Sequence, residues 1–393
     1  MPLPLDGITV VSLEQAVAAP FATRQLADLG ARVIKVERPG GGDFARDYDR
    51  TVLGQSSHFI WINRSKQSLT LDAKHPAANA LLHQLVAGAD VFIQNLGPGA
   101  AARLGLDAAT LCKRHPRLVA CGISGYGEDG PYADKKAYDL LIQCEAGVLS
   151  VTGTPETPSK AGISIADIAA GMYAYSGILT ALYERERTGR GTHFSVSMLE
   201  ALGEWMGYPA YFTAYGGTAP ERTGASHATI FPYGPFGVAG GRQVFFGVQN
   251  EREWARFCAQ VLSDPGLARD PRFADNSARF ANQDALRALV ESAFSTRSAA
   301  EVVESLDAAG IANARLNSPQ EFWDHPQLAA RERWSQVGTP GGPVRALLPP
   351  VRFTGRDARM DPVPAAGEHT DSILAELGCD AQAIAELRAE GAI

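Results

Sequence analysis

Between residues 8 and 124 the chain alternates short β-branched runs with helical stretches, and no other feature restricts its fold as much. Ile8 to Leu13, Ala31 to Glu37, Gln67 to Leu71, Asp90 to Gln94 and Leu118 to Ser124 read as strands, with helices at Pro20 to Leu29, Pro76 to Ala87 and Ala100 to Leu104. A parallel neighbour cannot be reached through a tight turn, so each strand–helix–strand run implies a crossover that lays a helix on a sheet face. The expected class is α/β, with a mostly parallel, Rossmann-like sheet covered by helices on both sides.

Downstream, Gly162 to Glu186 is almost wholly apolar and reads as one long helix that stops at Thr188-Gly-Arg-Gly191, followed by a strand from His193 to Val196. Asp167 sits at the head of that helix. It could simply cap the free N–H groups. It could also be an anion kept ionised by those groups and the helix dipole, available to attack a carbonyl. Glycine and aromatic residues then crowd positions 208 to 248, a linker-like composition leading into a hairpin at Gly234 to Val248. Amphipathic helices at Glu251 to Leu262, Ala285 to Ser295 and Ser298 to Ala309, with a strand at Ala312 to Leu316, describe a second, smaller α/β domain. Pro340-Gly-Gly-Pro and the proline-rich stretch to Pro364 read as extended connections before a last helix at Asp371 to Leu377.

At 393 residues the chain exceeds one ordinary core. A net charge of -7 gives no general attraction to nucleic acid or anionic membrane, so an anionic ligand would need a local cluster of cations. The five cysteines lack C-x-x-C spacing and the eight histidines lack H-E-x-x-H spacing, which points to reduced thiols and to no metal site. The start of the chain carries no basic-then-apolar leader, and no run reaches about 18 apolar residues, so the expected location is cytoplasmic, away from membranes.

Glu37 at the end of a βαβ unit would suit a dinucleotide site, but the first turn reads Glu14-Gln-Ala-Val-Ala-Ala-Pro20, without the glycines that let a backbone approach a pyrophosphate. Arg38, the cations of Asn63-Arg-Ser-Lys66, Lys74, Arg103 and Lys136 instead follow strands or occupy loops, where an open α/β sheet binds ligands. Together they would suit a phosphorylated nucleotide.

The ordered motifs Glu37-Arg38-Pro-Gly-Gly-Gly-Asp43, Asn63-Arg-Ser-Lys66 with Leu71-Asp72, Asn95-Leu-Gly-Pro-Gly99 with Arg103-Leu-Gly105, Gly125-Tyr-Gly-x-x-Gly-Pro131, Thr188-Gly-Arg-Gly191 and Asp324-His-Pro-Gln-Leu-x-x-Arg331 resemble those of the family III CoA-transferases, typified by formyl-CoA transferase. The resemblance covers nearly the whole chain. It implies a large Rossmann-like CoA-binding domain at 1–205, a linker at 206–230, a small domain at 231–330, and a return linker and C-terminal segment at 331–393 that completes the large domain, with two chains interlocked as a homodimer. It implies no tightly bound cofactor, coenzyme A as a substrate held by Val17, Ala18, Arg38, Leu71, Lys74, Asn95, Leu96, Ala100, Arg103 and Lys136, with Met198 touching it and Tyr138 beside the thioester, and Asp167 as nucleophile.

Where relatives carry a run of glycines over the site, this chain has Arg222-Thr-Gly-Ala-Ser-His227-Ala-Thr-Ile. Arg222 and His227 could bind a second carboxylate on the acyl group, as in the branch that uses succinyl-CoA with mesaconate, citramalate or itaconate; alternatively His227 caps a loop and Arg222 is solvated. Three other readings share the fold: intramolecular CoA transfer on mesaconyl-CoA, an α-methylacyl-CoA racemase, and a non-catalytic acyl-CoA-binding protein. Racemases place a His before an Asp as paired acid and base. Here the pair is Tyr138-Asp139, and Asp139 reads as a loop or cap residue.

Overall fold

The structure is a computed structural model that describes residues 2–393. Six strands, β1 (Thr9–Leu13), β2 (Arg32–Glu37), β3 (Lys66–Thr70), β4 (Val91–Gln94), β5 (Val119–Ser124) and β6 (His193–Ser197), form one sheet in the order β3-β2-β1-β4-β5-β6. Every pairing is parallel, with Val10 beside Val33 on one side and Val91 on the other. Such a sheet is covered on both faces, and Val10, Val11, Ile34, Ile93 and Val119 are completely buried. The strand order reverses between β1 and β4, and the carboxyl ends at that reversal are where an open α/β sheet binds ligands.

The chain divides into two compact units. The first holds the residues up to Val148, Ala161–Tyr208 and Leu328–Ile393; the second holds Leu149–Lys160 and Pro209–Gln327. In the first, Ile373, Leu374, Ile384 and Leu387 of the two C-terminal helices join the core around β1, β2 and β3. In the second, the antiparallel strands β7 (Tyr233–Val238), β8 (Arg242–Gly247) and β9 (Ala312–Ala314) carry a core of stacked aromatics, with Phe236, Phe246 and Phe257 in succession at 4.5 and 4.9 Å between ring centroids.

The long helix is Ile165–Thr188, and it ends where Gly189 adopts φ 74° and donates its N–H to Arg185. Gly171 lets it lie close against the helix Ala18–Asp28: a Cβ there would stand 2.6 Å from the Ala18 carbonyl oxygen. By length and hydropathy (mean 1.3) this helix could cross a membrane, although Asp167, Ser176 and Thr180 interrupt its apolar run; 44% of its most apolar window is buried inside this fold.

Two stretches read as linkers contain ordered elements: a helix spans Gly207–Gly216 in the expected linker, and a hairpin of β10 (Trp334–Val337) and β11 (Val344–Leu347) occupies the return segment. A further helix, Asp139–Glu145, starts at Asp139.

Candidate active site

The turn after β1 is built by side chains from other strands. Asn95, the residue after β4, accepts the Gln15 N–H (2.8 Å) and donates to the Gln15 carbonyl (2.9 Å), so its amide clamps this turn across the sheet reversal. Ala16 next to it takes a left-handed conformation, φ 57°, which is unfavourable for any residue with a Cβ. Its N–H is held by Asp43 Oδ1 at 3.2 Å, and Val17 and Ala18 follow as the start of the Ala18–Asp28 helix.

Beneath the turn lies a buried set of charges. Lys66 Nζ reaches Glu14 Oε1 at 2.7 Å, Lys35 reaches the same oxygen at 3.3 Å and Asp43 Oδ2 at 2.8 Å, and Arg46 grips Glu37 through two bonds of 2.8 and 2.7 Å. Burial would raise the Glu14 pKa, but the charges of Lys66 and Lys35 outweigh it and hold Glu14 below the usual carboxylate range. Burial pulls Lys66 down to about 8, Glu14 partly opposes this, and Lys35 adds to it. Lys66 and Arg64 are therefore not ligand cations. Lys66 belongs to this set, and Arg64 pairs with the buried Asp28 at 2.7 Å.

Asp167 occupies the first turn of the long helix, but it does not cap it. That work falls to Asp139, whose Oδ1 accepts the N–H groups of Ala166 (2.8 Å) and Asp167 (3.2 Å) while Gln143 donates to its Oδ2 (2.7 Å). The Asp167 carboxylate makes no hydrogen bond among the described residues and is left as an unengaged, partly buried acid. Burial, together with the Asp139 charge, lifts its pKa to about 7. The sequence reading had the helix head keep this group ionised; burial first, and the Asp139 charge second, act the other way and raise its pKa. Tyr48, which follows a 3₁₀ turn at Phe44–Asp47, is raised to about 12 by burial and then by the negative charges of Asp43 and Asp167, with Tyr138 adding to the effect.

The cations expected to hold phosphates all follow strand carboxyl ends: Arg38 after β2, Lys74 after β3, Arg103 after β4 and Lys136 after β5, each exposed. Arg103 donates to the Pro98 carbonyl at 3.4 Å. Leu96 and Ala100 are half-buried, whereas Val17, Ala18, Leu71 and Met198 are buried, Leu71 within the core. Tyr138 is 69% exposed. In the second unit Arg222 is half-exposed, and its guanidinium donates to the carbonyls of Thr154 (2.8 Å) and Pro155 (2.6 Å). His227 does cap a loop, because Nδ1 accepts the N–H groups of Thr229 and Ile230, both at 3.1 Å, with the ring stacked on Tyr233. That fixes the ring proton on Nε2, which is left as a donor. Among the described residues no group of three His, Cys, Asp or Glu is placed to hold a metal.

Residues 5–370 match the family described as CoA-transferase family III. The chain belongs to that family. It is 37% identical to the acetyl-CoA:oxalate CoA-transferase of Acetobacter aceti, over 87% of this chain and 89% of that one. It is 31% identical to the succinyl-CoA:glutarate CoA-transferase of Mus musculus, over 99% and 90%. The crystal structure of a CaiB/BaiF family protein from Brucella suis superimposes with a TM-score of 0.84 at 34% identity, covering 96% of this chain and 100% of that one. The chain is thus an enzyme of the CoA-transferase class, with the α/β fold of its family.

For a CoA-transferase, three further groups bear on this site. Asp139 frees the helix head and tunes Asp167, Tyr48 lies within its electrostatic reach, and Asp43 connects the Ala16 turn to the segment bearing Tyr48. Asp43 had a sequence signal as the last residue of the Glu37-Arg38-Pro-Gly-Gly-Gly-Asp43 motif, and Asp139 was read as a loop or cap residue, which its bonds to Ala166 and Asp167 bear out.

Proposed function

We propose that this enzyme exchanges CoA between a dicarboxylyl-CoA donor, succinyl-CoA first among them, and a free carboxylic acid, with Asp167 as the covalent carrier. The observation that carries the reading is the unengaged Asp167 carboxylate, whose capping duty has been taken over by Asp139. The ionised oxygen attacks the thioester carbonyl, expelling CoA thiolate and forming a mixed aspartyl anhydride. The thiolate attacks the aspartyl carbonyl, forming an aspartyl-CoA thioester and releasing the donor acid. An acceptor carboxylate then attacks that thioester, giving a second anhydride and thiolate, and the thiolate takes the acceptor acyl group and regenerates Asp167. A weakly basic nucleophile needs close positioning and fixed donors at the oxyanion, each worth about 3 kcal/mol.

Arg38, Lys74, Arg103 and Lys136, at four strand ends, are proposed to bind the phosphates of CoA, Val17, Ala18, Leu71, Leu96, Ala100 and Met198 to line its adenine and pantetheine, and Tyr138 to lie by the thioester. Asn95 serves by clamping Gln15. Arg222 and the Nε2–H of His227 are proposed to recognise the second carboxylate of the acyl group. The enzyme is proposed to act as a cytoplasmic homodimer. Supporting this, the helix Gly207–Gly216 has no buried residue, and it exposes Tyr211 at 69% and Tyr215 at 84%, an apolar face that a second copy would cover. The domain limits proposed from the resemblance stand beside the two units, which divide at Tyr208 and Gln327.

The test is mass spectrometry of the acyl-CoA products after mixing enzyme and succinyl-CoA with a panel of mono- and dicarboxylates, mesaconate, citramalate and itaconate included. New dicarboxylyl-CoA esters are expected. Exchange confined to monocarboxylates would defeat the dicarboxylate reading, and Arg222→Ala and His227→Ala variants that use succinyl-CoA at the unaltered rate would remove those two residues from it.

A further inference from the structure

The buried charges under the β1 turn serve no step of the proposed reaction, yet one of them, Asp43, touches two segments of the site at once. Asp43 is 2% exposed. Its Oδ2 holds Lys35 at 2.8 Å, while its Oδ1 accepts the N–H of Ala16 at 3.2 Å and of Ala45 at 2.9 Å. The first of those amides belongs to the left-handed residue before Val17 and Ala18. The second opens the 3₁₀ turn Phe44–Asp47 that leads to Tyr48. Asp43 is itself aimed by Glu37, whose Oε1 accepts the Asp43 N–H at 3.0 Å, and Glu37 is locked by Arg46 and by Ser68. Lys35 in turn is fixed by Glu14, whose Oε1 it shares with Lys66 and whose Oε2 accepts from the Thr23 hydroxyl at 2.6 Å.

Two features argue against a purely stabilising role. Lys35, Lys66 and Arg46 balance Glu14, Asp43 and Glu37 in charge, so the set could be replaced by apolar packing at little cost to stability. Moreover, the oxygen of Asp43 that is not needed for the Lys35 pair is spent entirely on backbone amides, one of which holds the otherwise unfavourable φ of Ala16. We propose that Asp43 is a positioning residue that sets, through one carboxylate oxygen, the distance between the CoA-binding Ala16–Ala18 turn and the segment that leads to Tyr48. This rests on the CoA-transfer reading given above.

Asp43→Asn and Asp43→Glu address it. The first removes the charge that orients the acceptor; the second keeps the pair with Lys35 but displaces the oxygen from the two amides. Either is expected to raise the KM for acyl-CoA and the Kd for CoA by about tenfold or more, the scale of one lost charge-assisted hydrogen bond, with far less change in kcat. Glycine adopts the left-handed conformation without strain, so Ala16→Gly added to either variant is expected to recover about half or more of the lost affinity on a logarithmic scale, which a global structural defect would not allow. CoA binding is read by calorimetry, independently of turnover. Folded Asp43 variants that bind CoA as the wild type does would overturn the proposal, as would a loss that Ala16→Gly leaves untouched. Should Asp43→Asn fail to fold, Asp43→Glu carries the same comparison. Wild-type protein that binds no CoA would instead defeat the parent reading.

Discussion

Replacing Asp167 by Asn should make the protein more stable, and only above a defined pH. The carboxylate makes no hydrogen bond among the described residues and stands near Asp139, and its pKa rises from 3.8 to about 7. In the unfolded chain the group ionises near 3.8. Wild-type stability is therefore unaffected by Asp167 below that value, is lost progressively as pH climbs towards 7, and stays reduced above it, because the folded state resists giving up the proton. At 1.36 kcal/mol per pH unit the full penalty is about 4 kcal/mol, and about 2 kcal/mol is a fair lower figure because solvent reaches the partly exposed oxygens. Asn has the shape of the protonated acid and no charge, so the stability difference between variant and wild type should be near zero at about pH 4 and reach about 2 to 4 kcal/mol at about pH 9. Urea unfolding of both proteins across that range measures it, and the subtraction cancels the titrating groups that do not interact with position 167. A difference that does not change with pH, or an Asn variant that is the weaker protein at pH 9, would refute the reasoning.

The same raised acid sets an acidic limb near pH 7 in kcat/KM for CoA transfer, and Asp139→Asn, which keeps a capping oxygen but removes the like charge, should move that limb to lower pH. Glu14→Gln strands Lys35 and Lys66 in the interior without their shared carboxylate and should cost about 3 to 5 kcal/mol in denaturant unfolding. Gly171→Ala drives a methyl group against the Ala18 carbonyl and the Phe21 side chain, so it should lose about 1 to 3 kcal/mol of stability and weaken CoA binding, read by the same unfolding assay and by calorimetry.

The alternation of β-branched and helical runs was enough to expose the sheet, because strands buried on both faces must be written in apolar residues: all six were found, each within two residues of its observed ends. The helix at Gly207–Gly216 was read as linker because its glycines and aromatic residues include no buried position that would mark a core-facing period, although Tyr211 and Tyr215 stack on one another. At the site, Asp167 stood out by being a lone acid before an apolar run. The group that relieves it of capping, Asp139, was read as a loop or cap residue, but it comes 28 residues earlier and no local pattern announces which helix it caps. Cations divided the same way. Arg38 and Arg64 both occupy segments that follow or precede strands, and only the fold shows that Asp28 waits for one of them and not for the other. The capping bonds of His227 were foreseen as one alternative, whereas the carbonyl partners of Arg222 lie in a segment 67 and 68 residues away and were not.

Whether Asp167 becomes covalently loaded can be read directly. After incubation with succinyl-CoA and quenching with hydroxylamine, peptide mass spectrometry should find the Asp167 side chain as its hydroxamate, the modification should be absent in Asp167→Asn, and that variant should exchange no CoA. A hydroxamate on another residue, or an Asp167→Asn enzyme that turns over at the wild-type rate, would contradict the assignment of the carrier.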